Sequence, residues 1–193
     1  MTSELKQILD TIPSYDIEAA VEAEERWSGV AKPLNSLGNL EKIIVQIAGL
    51  TGDPLYRIDK RVLLVCCADN GVVRQGISQV GSEVTAVLAQ ALARGDMSVC
   101  KMARIARVDI SGVDMGIAVE HCFPGLADKR LGPGTADMSE GPAMSRDEAV
   151  RGILHGCNLV RQCREEGYAI LATGELGIGN TTTSSAIAAV LLD

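Results

Sequence analysis

The stretch that decides the fold is Gly174–Thr183, with the sequence GELGIGNTTT. It follows an apolar run, Tyr168–Thr173, that is typical of a buried strand, and it leads into Thr182–Leu192, which is typical of a helix. Its three glycines allow a tight turn and bring backbone N–H groups close to a ligand. Because a helix start adds unpaired donors and the positive end of a dipole, a ligand phosphate is the natural occupant.

Two interpretations of this stretch stay open on spacing alone. One is a phosphate site, in which Glu175 faces another part of the substrate because a carboxylate does not help to hold an anion. The other is a glycine-rich connector with a threonine N-cap. The stretch is not a P-loop, since Asn180 occupies the lysine position, and it departs from the dinucleotide pattern, since Thr182 stands where a small residue is needed.

The segments before this stretch predict a parallel α/β fold. A continuous apolar run indicates a buried strand at Val62–Ala68, and a second strand is expected at Val108–Gly116. Residues 117–145 show no clear periodicity. Strands that alternate with helices favour a parallel sheet with helices on its faces. The expected helices are Ser82–Leu92 with Ser82 as a candidate N-cap, Met97–Ile105, and a long helix from the cap Ser145 to Glu166.

Three loops follow the predicted strands and should converge at one edge of the sheet. They are Asp69–Gly71, Asp114–Gly116 and Gly174–Thr181. Each contains glycine, and ligands of parallel sheets collect at the carboxyl ends of the strands. This convergence favours a site more strongly than any single loop does.

The first 60 residues predict a small helical subdomain, followed by a parallel α/β domain over residues 61–193. Pro13-Ser14 divides the helical residues 1–27 into two helices, Lys32–Gly38 predicts an extended loop, and Asn39–Ala48 has the apolar spacing of an amphipathic helix.

Composition excludes several classes of protein. The chain has 193 residues, a net charge of −7 and only 3% aromatic residues, which disfavours nucleic-acid binding. Its apolar runs are too short to span a membrane, and its first residues lack the pattern of a secretory signal. Six cysteines without a CxxC pair and two histidines disfavour a zinc site and indicate a reducing, cytoplasmic compartment.

Several motifs occur in order along the chain: Lys32-Pro33, Ser36–Glu41, Gln46–Gly49, Ala68–Val72, Gly76, Glu83–Thr85, Val113–Gly116, Pro142–Ser145 and Gly174–Thr182. The motif at residues 174–182 is highly specific, and the ordered set is more specific than any single member. This ordered set resembles the nicotinate-nucleotide:dimethylbenzimidazole phosphoribosyltransferases of cobamide assembly.

The resemblance implies a Rossmann-like parallel sheet with a small helical domain, and a dimer. It implies transfer of phosphoribose from nicotinate mononucleotide to a lower-ligand base, which gives α-ribazole phosphate and nicotinate. An acceptor nitrogen attacks C1′ opposite the nicotinate, a carboxylate takes the acceptor proton, and neither a metal nor a cofactor is required.

By the same resemblance, Glu175 is the candidate catalytic carboxylate. It would orient the acceptor or offset positive charge on the ribose, although it could instead accept N–H bonds within its turn.

We expect Asp69 to buttress the site loop, and Asp114 either to bind a ribose hydroxyl or to cap its loop. His121 is assigned no role. The substrate-binding candidates are Gly174, Gly177, Gly179, Asn180, Thr181, Asp69 and Asn70, with Val80, Leu88 and Met115 as walls of the base pocket.

The chain departs from the family pattern in two ways. Asn70 stands where the family usually has histidine, and Val80 and Leu88 make the base pocket more apolar, which suits a phenolic acceptor or signals a lost acceptor site. The family also continues beyond the position of Asp193 through a portion that carries its principal catalytic glutamate. We therefore expect this chain alone to be inactive, with a non-catalytic partner subunit or a mononucleotide-binding remnant as alternatives, and to form a homodimer or pair with a second subunit.

Overall fold

The computed structural model describes residues 2–119 and 123–192. The chain divides into two compact units, one ending at Ile58 and the other beginning at Asp59. His121 lies outside the described residues. No helix in the described ranges is long and apolar enough to cross a membrane.

The first unit contains three helices: α1 (Ser3–Asp10), α2 (Ile17–Ser28) and α3 (Asn39–Thr51). Asp16 caps α2 by accepting the amide of Ala19 at 3.0 Å, and its own amide donates to the carbonyl of Gly49 in α3. Residues 32–38 form a loop, as expected, but the expected extended conformation is wrong, since most of this segment forms turns. An ion pair of 2.9 Å between Lys32 and the buried Glu41 closes these turns. The hydrogen bond that Lys32 donates in this pair lowers the pKa of the Glu41 carboxyl.

The second unit is a parallel α/β domain, as the sequence predicts. Its elements in chain order are β1 (Arg61–Ala68), a 3-10 helix (Gly71–Gln75), α4 (Glu83–Arg94), α5 (Ser98–Ala106), β2 (Asp109–Gly116), β3 (Leu126–Asp128), α6 (Arg146–Glu165), β4 (Ile170–Leu176) and α7 (Asn180–Leu191).

Strand β1 lies between β2 and β4, and the sheet order is β3-β2-β1-β4. Each of these pairs is parallel, with Leu64 opposite Ser111 on one side and Thr173 on the other. Alternate side chains of β1 supply both layers of the core. Val65 and Cys67 pack with α4 and α5, while Val62 and Leu64 pack with α6. Burial raises the pKa of the Cys67 thiol to about 12, so this cysteine is an unreactive core residue.

The structure corrects three local expectations. A short third strand, β3, lies within the segment that lacks periodicity, and it pairs with β2 through only three residues. Strand β4 continues through Gly174 and Glu175 to Leu176, because these residues pair in register with Val65–Cys67 of β1. Ser82 adopts a helical conformation and makes no side-chain cap bond to α4.

The N-terminus of α6 is held by the capping box that its sequence predicts. The hydroxyl of Ser145 accepts the amide of Glu148 at 3.2 Å, and the carboxylate of Glu148 accepts the amide of Ser145 at 2.7 Å. These bonds satisfy donors that a bare helix end would leave unpaired.

We predict that Ser145→Ala lowers the free energy of unfolding by about 1 kcal/mol, because it removes the hydroxyl that caps α6. Urea unfolding followed by circular dichroism would measure this loss. Ser82→Ala is the matched control and should change stability little, since Ser82 makes no side-chain cap bond. Equal losses for the two variants would show that the capping box does not stabilise α6.

Candidate functional site

The candidate site is built around the turn Gly177–Gly179, which joins β4 to α7. Gly179 has a φ of 84° and occupies the N-cap position of the helix. A side chain at residue 177 would overlap the carbonyl oxygen of Ala68, so this position requires glycine. The threonine N-cap considered from the sequence is therefore wrong. Two glycines instead let the turn lie directly against the end of β1.

Side chains from three other elements fix this turn. The amide of Ile178 donates to the hydroxyl of the fully buried Thr85 in α4 at 3.1 Å. The amide group of Asn70, which follows β1, donates to the carbonyl of Ile178 at 3.1 Å. The oxygen of the same side chain accepts the hydroxyl of Thr183 in α7 at 2.9 Å. Asn70 therefore ties the turn, the helix start and the end of β1 together.

Some amides of the turn are used within the chain and others are not. Asn180 donates its amide to the carbonyl of Gly177, and Thr181 donates its amide to the side chain of Asn180 at 2.8 Å. Within the described residues, the amides of Gly177, Gly179 and Thr182 make no hydrogen bond. Gly177 is buried and Gly179 half-buried, so the turn lies at the surface only in part. Unpaired donors at a helix start are the groups that an anion needs, so an anion site at this turn stays a prediction.

Glu175 is an exposed residue of β4 rather than part of the turn. Its carboxylate accepts the side-chain amide of Asn180 at 2.7 Å, so a carboxylate and the first helical residue are fixed beside each other. Both residues line a cavity of about 310 Å³ on the α4 and α5 side of the sheet. Leu88 and Met97 contribute apolar walls to that cavity. Gly174, Gly177 and Ile178 line it as well.

The structure does not bring all the predicted base-pocket residues together. Leu88 lines the cavity beside Glu175, whereas Met115 lines a different cavity on the α6 side of the sheet. Val80 is 44% exposed and lines neither of these two cavities. Met97 was not expected from the sequence, because nothing in its local pattern distinguishes a cavity wall from a core residue.

Two buried aspartates, Asp69 directly after β1 and Asp114 near the end of β2, hold loops in place. Asp69 accepts the amide of Ala118 at 2.7 Å through one oxygen, and its other oxygen has no partner in the described part of the chain. Asp114 accepts the amides of Gly116 and Ile117 through one oxygen, and its second oxygen lies 3.9 Å from the guanidinium of Arg130. Asp114 therefore caps its own loop, which was one of the two roles expected of it.

Thr85 and Thr183 position the turn, and neither was expected from the sequence. Thr85, Ala89 and Leu92 share the buried face of α4 at helical spacing. A hydroxyl on such a buried face needs a hydrogen-bond partner, and this requirement could have identified Thr85 from the sequence.

No group of three histidine, cysteine, aspartate or glutamate side chains suited to a metal ion occurs among the described residues.

The geometry defines a class of protein first: a parallel α/β domain with a glycine turn, some of whose amides are unpaired, and an adjoining cavity at the carboxyl edge of its sheet. A family model described as phosphoribosyltransferase (DBI_PRT) matches residues 12–193, and the chain belongs to this family.

Relatives and solved structures agree with this assignment. A nicotinate-nucleotide–dimethylbenzimidazole phosphoribosyltransferase of Ruminiclostridium cellulolyticum is 38% identical over 187 residues, which cover 97% of this chain and 53% of that protein. The protein of the same name from Acetivibrio thermocellus is 38% identical over 98% of this chain and 54% of its own length. The crystal structure of the Thermus thermophilus enzyme superposes with a TM-score of 0.86 at 35% identity, over 92% of this chain and 54% of that one. The chain thus spans about half the length of these proteins.

We predict that Thr85→Val loosens the glycine turn. Valine matches threonine in shape but leaves the partly buried amide of Ile178 without an acceptor, which costs about 1 kcal/mol of the free energy of unfolding. Chemical denaturation would measure this cost, and hydrogen exchange of the Ile178 amide would show where it falls. Thr85→Ser keeps the hydroxyl and serves as the control. If valine and serine protect the Ile178 amide equally, the hydroxyl does not hold the turn.

Proposed function

We propose that this chain supplies the mononucleotide side of a phosphoribosyl transfer from nicotinate mononucleotide to a cobamide lower-ligand base. The observation that carries the proposal is the turn Gly177–Gly179, which has unpaired amides and whose residues Gly177 and Ile178 line a cavity that Glu175 also borders. The names of the relatives support the choice of donor and acceptor. The products would be α-ribazole 5′-phosphate and nicotinate.

In this proposal the mononucleotide phosphate accepts hydrogen bonds from the amides of Gly177, Gly179 and Thr182. The dipole of α7 adds a favourable field at the same place. Binding through backbone groups suits a chain with a net charge of −7, because it needs no cationic side chain at the phosphate. Asn180 and Thr181 border the ligand at the start of the helix.

The acceptor base occupies the cavity beside β4, with its ring against Leu88 and Met97. Apolar walls favour a flat aromatic acceptor, either a benzimidazole or a phenol. Glu175 lies at the edge of this cavity, where its charge offsets the positive charge that develops on the ribose ring as nicotinate leaves. Its hydrogen bond to Asn180 holds the carboxylate in position during that step.

We predict that Gly179→Ala weakens nicotinate mononucleotide binding roughly tenfold or more, a change that calorimetric titration resolves readily. The added methyl group would lie 2.6 Å from a side-chain carbon of Val73, so the turn must move and its amides with it.

Gly167→Ala is the matched control for this substitution. Gly167 has the same φ of 84°, lies before β4, and has open space where a side chain would be added. It therefore carries the same backbone strain without a contact to the turn. Equal affinities for the two variants would contradict phosphate binding at this turn.

The isolated chain should bind the mononucleotide without turning it over. The described residues beside the cavity offer one carboxylate, Glu175, which is already bonded to Asn180, so an acceptor proton lacks a dedicated base. We predict negligible formation of α-ribazole phosphate from nicotinate mononucleotide and dimethylbenzimidazole, measured by chromatography. Robust turnover by these 193 residues would overturn this prediction.

A non-catalytic partner subunit is the second candidate, and the surface of α7 favours it. None of the described residues of α7 is buried, and Val190 and Leu191 are 80% and 75% exposed. Strand β4, at the edge of the sheet, exposes Ala172 and Thr173 as well. Apolar helix faces and open strand edges favour association.

We therefore predict that the chain forms a homodimer or pairs with a second subunit. Light scattering at micromolar concentration would show a mass above that of one chain, and Val190→Lys with Leu191→Glu should reduce it. A monodisperse monomer before these substitutions would count against association through α7.

A further inference from the structure

A second cavity, of about 430 Å³, lies on the α6 side of the sheet at the carboxyl ends of β1 and β2. It shares no lining residue with the cavity beside Glu175. Its position is one where parallel sheets bind ligands, yet the proposed transfer reaction uses none of its side chains.

The walls of this cavity are mainly apolar and come from three parts of the domain. Met115 lies near the end of β2, Leu131 lies in a later loop, and Met144 and Ile153 come from the loop before α6 and from α6 itself. Glycines complete the wall where backbone segments approach closely. A side chain at Gly116 would lie 2.9 Å from the carbonyl oxygen of Gly132.

Backbone hydrogen bonds hold these walls in place without a ligand. The amide of Leu131 donates to the carbonyl of Met115 at 3.0 Å, and the amide of Thr135 donates to the carbonyl of Asp69 at 3.0 Å. The amide of Ala136 donates to the carbonyl of Ala143 at 2.8 Å. The cavity is thus preformed, which reduces the entropy that a ligand must overcome.

One carboxylate, that of Glu148, faces this cavity from α6. One of its oxygens accepts both the amide and the hydroxyl of Ser145, at 2.7 and 2.8 Å. Its other oxygen has no hydrogen-bond partner among the residues that the structure describes. The bonds from Ser145 hold the pKa of Glu148 below its usual value, so the free oxygen is a permanent acceptor at neutral pH.

We propose that this cavity is a second small-molecule site, which binds a planar aromatic ring whose N–H donates to the free oxygen of Glu148. Two thioethers favour aromatic rings, since sulfur packs well against a ring edge. A phosphate or carboxylate ligand is repelled by Glu148. An alkylammonium would lose its hydration against apolar walls, which leaves an uncharged N–H heterocycle as the best match.

Indole is a suitable probe because its nitrogen has no lone pair free to act as a nucleophile, so it does not mimic a transferase acceptor. Methionine labelled with ¹³C at the methyl group separates the two cavities by NMR. On titration with indole, the signals of Met115 and Met144 should shift, and any shift of Met97 reports separate binding in the cavity beside Glu175, whose apolar walls also suit a flat ring.

Two matched comparisons test the hydrogen bond. Glu148→Gln keeps an oxygen for Ser145 but replaces the free acceptor with a donor, so indole affinity should fall roughly tenfold. The ligand 1-methylindole lacks the N–H, so it should bind more weakly than indole and be insensitive to Glu148→Gln. Ala149→Phe places a ring in the cavity and should abolish binding of both ligands.

Three results would overturn the proposal. Signals of Met115 and Met144 that do not move up to the solubility limit of indole would show that the cavity binds no such ring. A shift confined to Met97 would place the ring in the other cavity. Equal affinities of indole and 1-methylindole in the unaltered chain would exclude Glu148 as the acceptor, even if Glu148→Gln disturbs the fold.

Discussion

The side chain of Asn70 provides the interaction on which the candidate site depends. It bonds the carbonyl of Ile178 and the hydroxyl of Thr183, and so joins the end of β1 to the glycine turn and to the first turn of α7. The close approach of Gly177 to Ala68 makes the same connection through the backbone. These contacts use the carbonyl of Ile178 and side chains around the turn. Within the described residues they leave the amides of Gly177, Gly179 and Thr182 unpaired.

The central position of β1 explains why the domain offers two separate cavities. Its alternate side chains pack against α4 and α5 on one face and against α6 on the other, so its carboxyl end opens onto both layers. The cavity beside Glu175 combines backbone donors, a carboxylate and apolar walls. The cavity beside Glu148 has mainly apolar walls, with the carboxylate of Glu148 and the residue Thr135 as its polar members, and it lacks the glycine turn. The two cavities at this edge of the sheet therefore differ in the polar groups that they offer a ligand.

The sequence predicted the parallel sheet because a continuous apolar run marks β1 and because strands alternate with helices along the chain. It did not predict β3, since three residues are too few to show a pattern. It ended β4 too early, because Gly174 and Glu175 look like turn residues and only their pairing with β1 keeps them extended. Within the site, the specific motif located the turn, but the contacts of Thr85 and Asn70 depend on elements distant in sequence. The same limit applies to Met115 and Leu88. The sequence placed both in one base pocket, whereas in the structure they line different cavities.

The most direct measurement is an NMR titration of the ¹⁵N-labelled chain with nicotinate mononucleotide, followed through the backbone amides. We predict that the amide signals of Gly177, Gly179 and Thr182 shift downfield together, as expected when N–H groups donate to a phosphate. Gly95 and Gly167, which have positive φ away from the turn, provide internal reference signals that should not move. Saturable binding that leaves the amides of residues 177–182 unchanged would contradict the central claim.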